Sequence, residues 1–530
     1  MSTARFRLAL LVTVLLWLAL RVVYWNGYYT EDAPGYVTDA IWIVLGKYHA
    51  RDYVNGLNVG TYIPVALPLW LLGKREVALA LWPLACSLGG LLSIAGSTRI
   101  LFGRPYSLLA AFLYATYPGD VFFSTVVMPD ALQAGWVTFS LFLAVAACVR
   151  PESQRRAILA GAGMAMGVCH LIRANDVLLL PVGIAAVLAC STIWAGRRPG
   201  AVAIDCAAYA AGWAAVNVAE GVAYLWGAGD FLLRFHVVDR HYGTVGSIAR
   251  AGLNTDSGTI PLSLLAPVAW LLRGGWGELN QDQAYHGLLF CWAVAFLAFG
   301  AVALWWLRER TDRRALAGLA IAAVWLLWPL LYHQFGSQSL THLVPVHRLS
   351  RHLVVYAPGA MFAIVAGCFV TRAAIRTAGC ARLRRVASSM GVLALAVHSW
   401  FNWKGEQIAF GGFHRIKDTY VRVREHIPEG TRIIVADPGD LCFLDFWMNP
   451  LGSEHVRMVP FAYYDRCEQI REGIILTHSN PGWLGGAPII QATLARLPCL
   501  AQPPVTWRLI YEGYPERIHQ VAAREADARN

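Results

Sequence analysis

Residues 6–39 read FRLALLVTVLLWLALRVVYWNGYYTEDAPGYVTD. Phe6 to Trp25 is an apolar run of about twenty residues, the length that a bilayer core requires. Arg5 and Arg7 precede it like the n-region of a signal peptide, but no small-residue cleavage site follows. An uncleaved anchor is expected. Directly after it comes Tyr28-Tyr29-Thr30-Glu31-Asp32-Ala33-Pro34-Gly35-Tyr36-Val37-Thr38-Asp39. Pro34 and Gly35 forbid a continuing helix, so Glu31 and Asp32 are expected on a bent loop at the membrane surface. Acidic groups are costly beside a bilayer, and those held there usually have a task. On this stretch alone the blander reading, a solvated acidic connector, is preferred.

Composition extends the membrane reading to the whole chain. Of 530 residues, 57% are hydrophobic and only 15% charged, and the mean hydropathy is +0.47. That profile belongs to a polytopic membrane protein. The net charge of +11 would point to nucleic acid in a soluble chain. Here the arginines fall in short clusters between apolar runs and report topology, so no nucleic-acid partner is expected. Eleven cysteines show no metal-ligand spacing. Most lie inside apolar runs, where a reduced cysteine is a small hydrophobe. Cys442, Cys467 and Cys499 lie in the polar tail, which leaves room for one disulfide.

Further spans are expected near 77–98, 106–118, 131–149, 157–173, 176–195, 201–223, 286–307, 314–333, 350–370 and 387–404, giving eleven with the first. Arginine placement supports this map. Clusters at Arg5/Arg7, Arg99/Arg104, Arg150/Arg155/Arg156, Arg197/Arg198, Arg308–Arg314 and Arg372–Arg385 all land on one side, the cytoplasmic one. Large outer segments are expected at 27–76, where Val37–Leu45 would lie along the interface, and at 224–285. The tail after 405 reads as a small soluble α/β domain, with a helix at 415–426, strands at 432–436, 473–477 and 505–511, and a helix at 489–497. The expected division is thus 1–405 and 406–530, with the tail and the acidic loop on the non-cytoplasmic face.

Charged residues on that face are the candidates for chemistry. Asp130, in Met128-Pro129-Asp130, stands at the start of a span, where capping the helix is the competing role. With Asp32 it makes two acidic residues at one depth, able to act as a general base or to hold a divalent metal. Opposite them stand Arg21, Arg173, Arg348 and Arg351, with His352. Arg348 and Arg351 are about one helical turn apart and suit a shared anion, while snorkelling to the head groups is an equal reading of Arg21. Carboxylates and guanidinium groups on one face suit a lipid head group whose phosphate leaves while a carboxylate deprotonates an incoming hydroxyl.

These segments resemble the GT-C glycosyltransferases that use polyprenyl-phosphate sugars, a group including protein O-mannosyltransferases and lipid A aminoarabinose transferases. Arg21 with the Asp32 loop, Tyr36, Ala40 and Gly60-Thr61-Tyr62-Ile63-Pro64 to Gly73 is similar to the family's first outer loop. Tyr117-Pro118 through Asp130 resembles its second acidic motif, Tyr224–Phe231 the opening of its long outer loop, and Arg348–Pro358 its late Arg-Tyr-Leu-x-x-x-x-Pro element. The resemblance covers most of residues 1–370. It implies Asp32 as the general base of an inverting transfer, with Asp130 orienting the acceptor or sharing a cation. Arg348 and Arg351, with Arg173 and Arg21, would hold the donor phosphate. Glu31, His236, Asp239, His241 and His352 would be auxiliary. The partners implied are a polyprenyl-phosphate sugar donor, a lipid, glycan or protein acceptor, and membrane lipids. The basic cytoplasmic loops and compact size suggest a bacterial inner membrane, with the N-terminus cytoplasmic and the C-terminal domain periplasmic, while an ER membrane has the same handedness. Two departures stand out. The family's Asp-Glu pair is here Asp32-Ala33 with Glu31 before it, which argues more for a metal-free base than for a metal-bound site. His352 replaces the usual tyrosine.

A transporter or flippase for a lipid-linked sugar is the alternative from another class. Asp205 and Glu220 inside span 201–223 favour it, and the lack of an internal repeat counts against it. A catalytically inactive scaffold is a third.

Overall fold

The computed structural model describes residues 1–28, 32–48, 55–173, 179–248, 289–306, 312–335, 350–377, 381–478, 493–512 and 516–521. Up to residue 425 the described residues are mainly helical: α1 (Thr3–Val23), α2 (Ala33–Val44), α3 (Val59–Leu72), α4 (Glu76–Phe102), α5 (Arg104–Ala115), α6 (Pro118–Phe123), α7 (Pro129–Ala147), α8 (Glu152–Ile172), α9 (Leu180–Leu188, continued by a π-turn to Trp194), α10 (Pro199–Ala228), α11 (Leu233–Ile248), α12 (Leu289–Trp306), α13 (Arg313–Phe335), α14 (Ala357–Thr377) and α15 (Ala381–Glu425). A helix stands at each of the eleven expected spans. Among the described residues, five helices are long and apolar enough to cross a membrane: Thr3–Val23, Glu76–Phe102, Pro129–Ala147, Pro199–Ala228 and Leu353–Thr377. Within the bundle, small residues let backbones close in, as apolar surroundings favour. A Cβ on Gly163 would meet the Tyr209 carbonyl at 1.9 Å, and one on Gly212 the Ala160 carbonyl at 1.9 Å, so α8 and α10 touch along their backbones.

Three expectations change. Pro34 does not block a helix but starts one: it stands in the first turn of α2, where its missing N–H costs nothing. Nor does α2 lie along an interface, because Tyr36, Val37, Ala40 and Ile41 are core residues. The rest of segment 27–76 holds α3, whose Ile63, Leu67, Trp70 and Leu71 are exposed and apolar. Finally, the span at 387–404 and the helix at 415–426 are one helix, α15, of 45 residues. The boundary drawn after 405 falls inside it.

The tail folds on a five-stranded mixed sheet in the order β2-β1-β3-β5-β4, with β1 (Ile433–Ala436), β2 (Arg457–Pro460), β3 (Gly473–His478), β4 (Arg508–Glu512) and β5 (Glu516–Val521). β1 runs parallel to β2 and β3, and β5 antiparallel to β3 and β4. Strand alternation sorts the core. Ile434, Ala436, Ile474, Leu476 and Ile518 face α16 (Pro438–Met448) and the end of α15, while Val435 and Ile475 face Leu500 and Trp507. A disulfide joins Cys467 to Cys499 on the second side. The expected strands at 432–436, 473–477 and 505–511 correspond to β1, β3 and β4. Of the expected helix at 489–497, residues 493–496 are helical, and 489–492 lie outside the described residues.

The sheet domain is docked on the α1–α2 connection. Tyr28 stacks on Phe443 with ring centroids 4.7 Å apart, and its hydroxyl donates to the Cys442 carbonyl at 3.1 Å. Burial there pushes the Tyr28 phenol well above its usual range. Lys74 reaches Asp445 at 2.8 Å, and Lys417 of α15 reaches Glu76 at 2.5 Å. Glu76 in turn accepts from the Tyr28 backbone N–H at 3.1 Å.

Candidate active site

Asp32 is the residue before α2 and is half-buried. The Asn55 amide donates to its Oδ1 at 3.0 Å. Asn55 opens a 3-10 turn, Asn55–Leu57, that leads into α3. Side chains from several helices fix this turn. Tyr62 donates to the Gly56 carbonyl at 2.6 Å, and the Asn58 amide donates to the Tyr36 hydroxyl at 2.9 Å. The Leu57 carbonyl accepts from Arg234 at 2.5 Å and from Tyr224 at 3.4 Å.

The head of α3 ties this turn to the second acidic candidate. Thr61 donates to the Ile172 carbonyl at 3.0 Å, and a Cβ on Gly60 would meet the Ile172 backbone nitrogen at 2.9 Å. The next residue, Arg173, ends α8 and pairs with Asp130 at 3.5 Å. Asp130 is buried in the first turn of α7, as its position in the sequence suggested. Asp32 and Asp130 thus belong to one end of the bundle, connected through α3 and the C-terminal end of α8.

Arg21 is elsewhere engaged. It is 1% exposed, so it does not snorkel to the surface. It pairs with Asp120 of α6, and donates to the carbonyls of Trp17 at 2.9 Å and Ala115 at 3.0 Å. Its guanidinium lies 4.6 Å from the centre of the Trp17 ring. Ser87 completes the cluster, donating to Asp120 and accepting from the Trp17 indole at 2.9 Å. Burying such a pair is tolerated only when its hydrogen bonds are met, as most are here. Asp120 was visible in the sequence between Tyr117 and Asp130, but nothing local marks its partner, 99 residues away.

Of the auxiliary candidates, His236 is exposed and bonds Asp230 at 2.7 Å, which holds the Asp230 carboxyl below its usual range. Asp239 is half-buried on the same helix, α11. Glu31 and Arg348 lie outside the described residues. Arg351 and His352 belong to the 3-10 turn Ser350–Tyr356, and the His241 backbone to α11, but the side chains of these three lie outside the described set. Sequence reading missed Arg234. It sits on α11 just past the Gly229 turn that ends α10, where Gly229 takes φ +72°. That turn folds α11 back on α10, so Arg234 meets Glu220 through Nε at 2.9 and 3.0 Å. A glycine between two helical runs, with opposite charges on either side, was the available signal. Asp205 is likewise bonded, by Ser191 at 2.9 Å and Arg197 at 3.4 Å.

Beside the Asn55 turn, α3, α8 and α10 enclose an apolar groove of about 640 Å³. Tyr48, Val59, Leu171 and Tyr224 are among its walls, with Glu220 at a polar margin. Among the described residues no three His, Cys, Asp or Glu gather. Asp130 faces a guanidinium, and the Asn55 amide is one partner of Asp32.

No protein-family model and no curated protein sequence matches the chain. Solved structures do. ArnT from Cupriavidus metallidurans, bound to undecaprenyl phosphate, superposes with a TM-score of 0.58 at 12% identity, covering 99% of each chain. The oligosaccharyltransferase of Archaeoglobus fulgidus in its apo form gives 0.55 at 14% identity, over 99% of this chain and 75% of that one. The same oligosaccharyltransferase complexed with Zn and sulfate gives 0.54 at 13% identity, over 97% and 73%. The chain has the fold these proteins share, that of the GT-C glycosyltransferases.

Proposed function

We propose that this GT-C-fold protein is a membrane glycosyltransferase, moving a sugar from a polyprenyl-phosphate donor to an acceptor hydroxyl on the periplasmic face of the inner membrane. The observation that carries the reading is a juxtaposition. A half-buried carboxylate, Asp32, is anchored by a turn whose Leu57 carbonyl is bonded to Tyr224, a wall of the apolar groove. A base and a slot for a lipid chain therefore adjoin. Asp32 takes the proton of the acceptor hydroxyl, whose oxygen attacks the anomeric carbon from the face opposite the phosphate. The bond from that carbon to the phosphate oxygen breaks, and the pair leaves on polyprenyl phosphate with inversion at the sugar. Arg173, held by Asp130, receives the phosphate together with Arg348 and Arg351, since planar guanidinium groups match its oxygens. Arg21 is left out because Asp120 and the backbone already occupy it. Nothing is routed through a metal. Asp205 and Glu220, the acidic groups that favoured a transporter, are each paired with an arginine.

Purified protein in lipid nanodiscs, given polyprenyl-phosphate sugar and a crude envelope acceptor fraction, should release free polyprenyl phosphate. Passage of intact donor across proteoliposomes without cleavage would overturn the proposal in favour of transport. The phosphate site has its own test. Arg351→Lys keeps the charge and loses the fork, so donor affinity should fall. Arg351→Ala should weaken it by about 2–5 kcal/mol, as measured by titration with polyprenyl phosphate. Unchanged affinity in Arg351→Ala would place the phosphate elsewhere.

A further inference from the structure

We infer that Arg234 is a positioning residue for the reacting carboxylate, acting through the Leu57 carbonyl and the Asn55 amide; this rests on Asp32 being the base. Arg234 is 3% exposed and its charge is already met by Glu220, also buried. A buried guanidinium needs that carboxylate merely to be tolerated. The bond that neutralisation does not explain is the second one, from Nη2 to the Leu57 carbonyl at 2.5 Å, 177 residues away in sequence.

Leu57 is fully buried, so water is not at hand to replace Arg234 there. Without Arg234 the carbonyl would keep only the 3.4 Å bond from Tyr224. The turn that Leu57 ends is three residues long and carries Asn55 at its other end. A 3-10 turn this short has little stability of its own, so its orientation follows the groups bonded to it. Glu220 and Arg234 therefore form a rigid strut from the end of α10 to the Asn55 turn. Asn55 delivers that rigidity to Asp32 through the 3.0 Å bond. Loosening the strut moves the amide away from the carboxylate without touching donor or acceptor. A base displaced by about 1 Å loses up to about 10²-fold in rate.

The test compares Arg234→Gln, Asn55→Ala and their double variant in full-length protein in nanodiscs, with Asp32→Asn as reference. Release of polyprenyl phosphate from polyprenyl-phosphate sugar is followed. Arg234→Gln should lower kcat by about 10–10²-fold and leave the donor KM within about twofold. Asn55→Ala should lower kcat with the same unchanged KM, and the double variant should be no worse than the poorer single one, as for groups acting as a unit. Hydrogen exchange supplies a readout independent of turnover. Amides of residues 55–61 should exchange at least about tenfold faster in Arg234→Gln, with α4 and α7 unchanged. Should Arg234→Gln fail to accumulate, Arg234→Lys takes its place, since it keeps the charge and cannot span both acceptors. An unchanged kcat with unchanged exchange at 55–61 in Arg234→Gln, where Asp32→Asn is inactive, overturns the inference alone. An active Asp32→Asn overturns the reading of the base on which it rests.

Discussion

Asp32→Asn is expected to yield a folded protein that binds donor and turns over about 10²–10⁴-fold more slowly, the usual share of a positioned base. The fold should survive because the asparagine keeps an oxygen to accept the Asn55 amide, and the site is only half-buried. Only the proton acceptor is lost. Asp130→Asn separates two roles for its neighbour. If Asp130 serves to hold Arg173 for the phosphate, donor affinity should drop with turnover. If it only begins α7, both should change little. A double variant no worse than Asp32→Asn would place both carboxylates in one catalytic unit. Full turnover in Asp32→Asn, measured as released polyprenyl phosphate, would remove the proposed mechanism.

The second large effect lies below the site, at Arg21 and Asp120. Arg21→Ala leaves a buried carboxylate facing Ser87 with no cation, and should cost about 3–5 kcal/mol. The thermal midpoint in detergent should fall steeply and the yield with it. Replacing both partners by apolar side chains, Arg21→Met with Asp120→Leu, should recover most of the loss, because no charge is then stranded. That double variant also settles the role of Arg21. Donor affinity should be normal in the rescued protein if Arg21 is structural. A stable double variant with no donor affinity would return Arg21 to the phosphate site.

The helical bundle was legible because each bilayer-length apolar run signals itself without reference to its neighbours. The strands at 433–436 and 473–478 were legible for the same local reason, being rich in β-branched and aliphatic residues. What escaped notice depends on context. α3 carries Pro64 and Pro68 inside a 14-residue helix, and such prolines read as breakers until tertiary packing compensates for them. Asp130 and Arg173 were each singled out, yet their 3.5 Å pairing comes from the fold and no spacing rule contains it. Arg21 looked like a residue near a membrane surface because its partner, Asp120, comes from a distant helix. Asn55 and Arg234 drew no attention, since a residue that positions another has no chemistry of its own to advertise.

The 45-residue α15 links the bundle and the sheet domain in a way that bears on protein engineering. Its middle is seated in the bundle, where Asn402 bonds Thr116 at 3.4 Å, and Val423 near its C-terminal end is core to the sheet domain. An uninterrupted helix advances about 100° per residue, at 3.6 residues per turn. Adding or removing a single residue between 402 and 423 would swing the sheet domain by over a quarter-circle about the helix axis, carrying the Phe443 ring away from Tyr28. A chimaera that exchanges the sheet domain between related chains must therefore conserve helical phase as well as length. Splices that differ by seven residues, close to two full turns, are the shortest that nearly restore the facing, and they displace the domain by about 10 Å along the axis. The junction behaves as a keyed shaft, and a flexible tether would be a poor substitute for it.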